Sequence, residues 1–166
     1  MLFRSQYAAG KSDDLAYRLA RRNAHNADAA LSTTLANMLM EPGHFRKEAD
    51  VGFRFLVLSH TLLSYLSGLG AHRETQLPAE VREHLIDGAG NTLAASIDEI
   101  ATGLANKQPI AIQSDAEEAL AADLEQMPDE IDEGQRLVQT QLALICRQLG
   151  PLRTLAAHLI KDTSAA

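Results

Sequence analysis

Three side chains in the first third of the chain have the types and spacing to share a site. His25 and Asp28 stand three residues apart, and His60 follows after Pro42-Gly43. Residues 21–67 read as two long helices folded back on each other at that Pro-Gly pair. In such a hairpin, residues whose numbers sum to about 85 lie level along the axes. His25 then sits near His60. Asp28 sits near Val57, about one turn from both Arg54 and His60. Two imidazoles and a carboxylate can hold a metal or an anionic ligand with Arg54 beside it. They can equally form a hydrogen-bonded polar pocket that fixes helix register, or point to solvent. The pocket reading is favoured. Metal sites inside bundles take more carboxylates, with Glu-x-x-His on two helices, and here His25-x-x-Asp28 occurs once.

A second cluster is electrostatic. Arg18, Arg21 and Arg22 make a small basic patch, read either as solvated surface or as a face toward anionic lipid headgroups. The opposite charge gathers elsewhere: residues 113–134 hold nine acids and no base. That run has neither the Gly nor the ligand spacing of a calcium loop and reads as a solvated face. His44, His72, His84 and His158 share no ligand spacing. Gly10-Lys11 lacks the preceding strand and spaced glycines of a phosphate loop, and no nucleophile elbow is present. No catalytic residue, metal site or cofactor is therefore expected, and the chain is not read as an enzyme.

The elements that must position these residues are helices. The chain has 166 residues, 46% of them apolar, no Trp and one Cys. That is enough for a core without disulfides, and Cys146, in an apolar run, is expected inside it. The net charge of −7 argues against a nucleic-acid partner with a broad basic face. Strand signals are missing. The start lacks the apolar stretch of a signal peptide. Residues 1–11 read as foreign or disordered, and Leu2-Phe3-Arg4-Ser5 is also what the end of a common sequencing adapter encodes. Residues 12–161 read as one helical domain and 162–166 as a frayed tail.

The first helix is expected from a Ser12 cap to about Met40. Its inward stripe is Ala16, Ala20, Asn23, Ala27, Ala30, Thr34 and Met38, with Leu31 and Leu35 beside it. The second runs from about His44 to Leu69. It contains 17 residues, 55–71, without a charged side chain, which is short of the roughly 20 a membrane span needs, so a buried core helix is expected. The third covers about 79–106, with Gly88 and Gly90 as weak points. Ser114 and Glu117 make a capping box for the fourth. Its stripe, Leu120, Leu124, Met127, Ile131, Val138, Leu142, Ile145 and Leu149, stays in phase through Pro128. One kinked helix, or two nearly coaxial ones, is expected. Gly150-Pro151 should end it, leaving a short helix at about 152–160. The whole is all-α: an elongated antiparallel up-down-up-down bundle with a short fifth C-terminal helix.

The run Arg22-Asn23-Ala24-His25-Asn26-Ala27-Asp28-Ala29-Ala30-Leu31-Ser32, then Glu41-Pro42-Gly43 and Leu58-Ser59-His60, resembles the YccS/YhfK branch of the fusaric-acid-resistance-like (FUSC) inner-membrane proteins of Gram-negative bacteria. The similarity runs from about Gln6 to the end, more weakly past Leu77. It implies the last cytosolic region of an efflux transporter, at the cytoplasmic face of the inner membrane. It further implies a role in assembly or gating, with the transporter's membrane half and other copies of it as partners. The Arg18, Arg21 and Arg22 patch would then lie close to the membrane face, near anionic lipid headgroups. No catalytic residue comes with the resemblance. A free-standing helical interaction module is the alternative.

Overall fold

The computed structural model describes residues 11–40, 46–72, 77–126 and 131–164. All described elements are helical, as the apolar periodicity predicts. α1 is Lys11–Met40 and α2 is Arg46–Ala71. The Pro42-Gly43 turn lies outside the described residues, but the two helices are antiparallel. Tyr17 lies against Gly70, Leu35 against Gly52, and Asp28 beside His60. Level pairs therefore sum to 87 or 88, close to the expected 85. Both glycines are close-approach positions: a Cβ at Gly70 would collide with the Tyr17 ring and one at Gly52 with Leu35.

α1 turns a different face inward from the one its small residues suggest. Ala20, Leu31, Leu35 and Met38 face inward as expected, joined by Tyr17, Ala24 and Asp28. Ala16, Asn23, Ala27, Ala30 and Thr34 are exposed. The stripe that wins carries the larger side chains, which remove more apolar area from water. One narrow stripe is enough because α1 packs chiefly on α2.

α2 is the hinge of the architecture. One side receives α1, and another makes the most extensive helix contact in the molecule, with α6. Leu62, Leu63, Leu66 and Leu69 are buried, so the uncharged run 55–71 is a core helix. No helix among the described residues is long and apolar enough to cross a membrane.

The expected third helix has three parts. α3 is Ala79–Arg82, a π-helical stretch follows over Glu83–Ala89, and α4 is Gly90–Asn106. The wider π turns fall at the weak point around Gly88, and both Leu85 and Ile86 are buried there. α4 ends on Lys107 in the left-handed region, φ 52°. There Gln108 N–H donates to Gly103 C=O and Lys107 N–H to Leu104 C=O, satisfying two terminal carbonyls.

The fourth stripe is a hairpin and neither a kinked rod nor a coaxial pair. α5, Asp115–Glu125, and α6, Glu133–Ser164, lie antiparallel and packed together. Each has its own start. Ser114 Oγ accepts from Glu117 N–H at 3.4 Å, and Asp132 Oδ2 accepts from Gly134 and Gln135 N–H at 2.9 and 3.3 Å. Buried Gln139 on α6 donates to the Leu124 and Gln126 carbonyls at 2.9 and 3.4 Å, capping the end of α5 from across the seam. Pro128 lies outside the described residues.

Gly150-Pro151 does not end α6, and residues 152–160 continue it instead of forming a short helix of their own. Pro151 is inside a 32-residue helix. Its ring is exposed, so water can satisfy the carbonyl it leaves unbonded, and Gly150 has no Cβ to clash with the ring. Because the helix continues, α6 carries one unbroken buried stripe: Val138, Leu142, Ile145, Leu149, Leu152 and Ala156. Each leucine fully buried here contributes about 2 kcal/mol of transfer free energy.

Candidate functional site

Of the four residues expected to meet, the structure joins Asp28 and His60. His60 Nδ1 lies 3.0 Å from Asp28 Oδ2, with the Asp28 side chain 18% exposed and the His60 ring 65% exposed. α1 supplies Asp28 from its inner stripe, and α2 supplies His60 from the edge of its solvent face. Arg54 does not join them. It pairs one turn back on its own helix with Asp50, at 3.2 Å. His25 is exposed on α1, outside the stripe that carries Asp28. An open contact of this kind contributes at most about 1 kcal/mol. It links the middle of α1 to the middle of α2. No group of three or more His, Cys, Asp or Glu converges for a metal among the described residues.

The more strongly built polar site lies elsewhere. Arg153, 1% exposed in the middle of the α6 stripe, is the largest fully buried side chain. Its Nε donates to Glu117 Oε1 at 2.8 Å, its Nη2 to Glu99 Oε2 at 2.7 Å, and its Nη1 to the Ala111 carbonyl at 3.4 Å. One guanidinium thus ties α4, the α4–α5 connection and α5 to α6. Glu117 is buried with it, whereas Glu99 reaches it from a half-exposed position. This explains why only half of the capping box forms: the Glu117 carboxylate turns to Arg153. Burial by itself would lower the Arg153 pKa, but the hydrogen bonds to Glu99 and Glu117 outweigh it and the net shift is upward. The same bond holds the Glu99 carboxyl below its usual range.

Cys146 sits one level away. Its thiol donates to the Glu117 carbonyl at 3.2 Å. Burial, with the Glu117 charge adding to it, pushes the thiol up to about 11. It is protonated at neutral pH, which withholds the thiolate that nucleophilic chemistry needs. An open hollow of about 220 Å³ beside it is lined by Ser114, Glu118, Arg147 and Pro151 among others.

Sequence reasoning missed Arg153 because it cut the helix at Gly150-Pro151. A signal was present. Leu149, Leu152, Arg153 and Ala156 follow the helical step, and a base in the middle of an apolar stripe asks for a buried acid.

The basic patch is placed as an exposed group. Arg18, Arg21 and Arg22 are exposed on α1, near the exposed Leu15 and Leu19. On α2, Phe53 and Val57 are also exposed, one turn apart.

Comparison with known proteins gives these surfaces a setting. Over 82 residues, 49% of the chain, it is 46% identical to inner membrane protein YccS of Escherichia coli, covering 11% of that protein. The likeness to YccS holds. An uncharacterized protein of Haemophilus influenzae is 57% identical over 70 residues, 42% of this chain and 10% of that one. An uncharacterized protein, ORF2, of Neisseria gonorrhoeae is 40% identical over 58 residues, 35% of this chain and 14% of that one. The chain spans about a tenth of the length of these relatives. No family model matches it, and no solved structure matches it. The chain is thus similar to an inner-membrane protein over about half its length, and none of its described helices is long and apolar enough to cross a membrane.

Proposed function

We propose that the chain is a cytosolic helical region of a YccS-like inner-membrane efflux transporter and serves assembly or gating without catalysing a reaction. The observation that supports this most is a pairing. The chain is similar to an inner-membrane protein, yet none of its described helices is long and apolar enough to cross a membrane, and they are held together by buried polar ties. What it does present is a packed body, α2 with α4, α5 and α6, carrying α1 on one flank. Such a body transmits position and can couple the cytosolic side to a moving membrane half.

Co-expression tests this. The 166-residue chain should co-purify in detergent with the membrane-spanning remainder of a YccS-like protein, and the retained complex should survive moderate salt. A membrane remainder that assembles normally and leaves the chain entirely in the unbound fraction would overturn the reading.

A further inference from the structure

We infer that a groove between the α4–α5 connection and the last turns of α6 binds a single-chain aliphatic carboxylate, of the fatty-acid class. The groove has a volume of about 390 Å³, within the roughly 300–1,000 Å³ of small-molecule sites. Its floor is Ile110 and Ala157, 7% and 6% exposed. Ile112, 46% exposed, and the half-buried Ile160 wall it, and the exposed Lys107 and Lys161 also line it. Ile160 and Lys161 follow Ala157 by three and four residues, so all three share one face of α6. That face is helical because α6 runs on past Pro151. The connection opposite it is held in three places. Lys107 turns the chain in the left-handed region at φ 52°. Ile110 sits so close on Gly103 that a Cβ there would collide with it. The Ala111 carbonyl accepts from Arg153 Nη1 at 3.4 Å. The walls are thus fixed before a ligand arrives, which lowers the ordering cost of binding.

The lining selects the ligand by charge and by shape. Among the described residues, no acid and no neutral polar side chain lines the groove. Neither lysine is in an ion pair with a described residue. Two ammonium groups beside an apolar floor match a molecule with one anionic end and an apolar remainder. A neutral polar group carried down to the isoleucines would lose its water and find no partner. No aromatic ring lines the groove, so a flat ring has nothing to stack on and a flexible aliphatic chain fits the isoleucines instead. The molecule carries a net charge of −7, which repels an anion in general, so the two unopposed lysines mark where one is accepted. The site does not depend on the assembly or gating role.

The test is isoleucine-methyl NMR of the full chain titrated with sodium octanoate. The Ile110, Ile112 and Ile160 methyls should shift together, with a Kd on the order of 1 mM. Hexanoate should bind up to about 15-fold more weakly, because each buried methylene is worth up to about fourfold. Octylammonium, with the same chain and the opposite charge, should bind here at least about tenfold more weakly. Lys107→Gln with Lys161→Gln should weaken octanoate about tenfold and leave octanol unchanged, and added salt should act in the same direction. Ile112→Ser should weaken octanoate and octanol alike, by about fivefold or more. All three substituted positions are exposed, so circular dichroism and melting should stay at wild-type values. No shift at about ten times the expected Kd would overturn the inference. So would equal binding of octanoate and octylammonium, or shifts confined to other isoleucines. Self-association of the chain that Ile112→Ser abolishes, without octanoate binding, would assign the groove to a second copy and overturn it as well.

Discussion

Arg153→Met should be the most damaging single substitution at a polar position, destabilising the chain by about 3–5 kcal/mol. The reason is what stays behind. Glu117 is buried against Arg153, and without the guanidinium its carboxylate loses its counter-charge where it has little access to water. Against a total stability of about 5–15 kcal/mol this is a large fraction, and at this length it corresponds to a melting temperature lower by roughly 10 °C. The double variant E117L/R153M removes both buried charges and leaves Glu99, which is half exposed and can rehydrate. It should recover to within about 1 kcal/mol of the wild type. Urea titrations of the two variants check this. A double variant as unstable as the single one would mean that the guanidinium's packing, and not its charge, is what matters.

The network also fixes the direction of a pH effect. Glu99 has a folded-state pKa below its unfolded value because Arg153 stabilises its charged form. The stability it contributes is fully present above the unfolded carboxylate range. It is lost as pH falls through the lower, folded value. The wild type should therefore lose more stability on acidification than E117L/R153M does.

Leu142→Ala should cost about 3 kcal/mol, and Leu144→Ala on the same helix less than about 1. Leu142 is fully buried on the α6 stripe, whereas Leu144, two residues on, is 36% exposed on the other side of the helix. The contrast tests the orientation of α6 directly, because a rotation of about half a turn would exchange the two values. Thermal melting of both variants provides the measurement.

The chain's helical class was legible because the apolar residues recur at the helical step from Ala16 to Ile160. The errors have physical causes. α1 is rich in alanine on all sides, so periodicity marks several faces about equally. Only burial of Tyr17 and Leu35 against the glycines of α2 decides among them. At Pro128 the stripe stays in phase on both sides, but phase says which face is apolar and nothing about direction along the axis. A hairpin and a straight rod satisfy it alike. The Asp132 cap and the Gln139 tie to the end of α5 are what distinguish them. Gly150-Pro151 looked like a stop because that pair usually is one, yet a solvent-facing proline after glycine is tolerated. The hairpin arithmetic put His25 level with His60 and Asp28 level with Val57, one turn away, whereas it is Asp28 that meets His60. It did not separate His25 and Arg54 from them, because which way a side chain leaves the helix depends on the final rotation of α1.

The account depends on a buried α2/α6 pair that carries α1 on its flank. Amide hydrogen exchange of the isolated, monomeric 166-residue chain, resolved helix by helix, reads this most directly. The central turns of α6 should exchange only at the rate of whole-molecule unfolding, and α1 should open first among the described helices. Equal protection of α1 and α6 in the monomer would contradict the account, because α1 would then open only with the core.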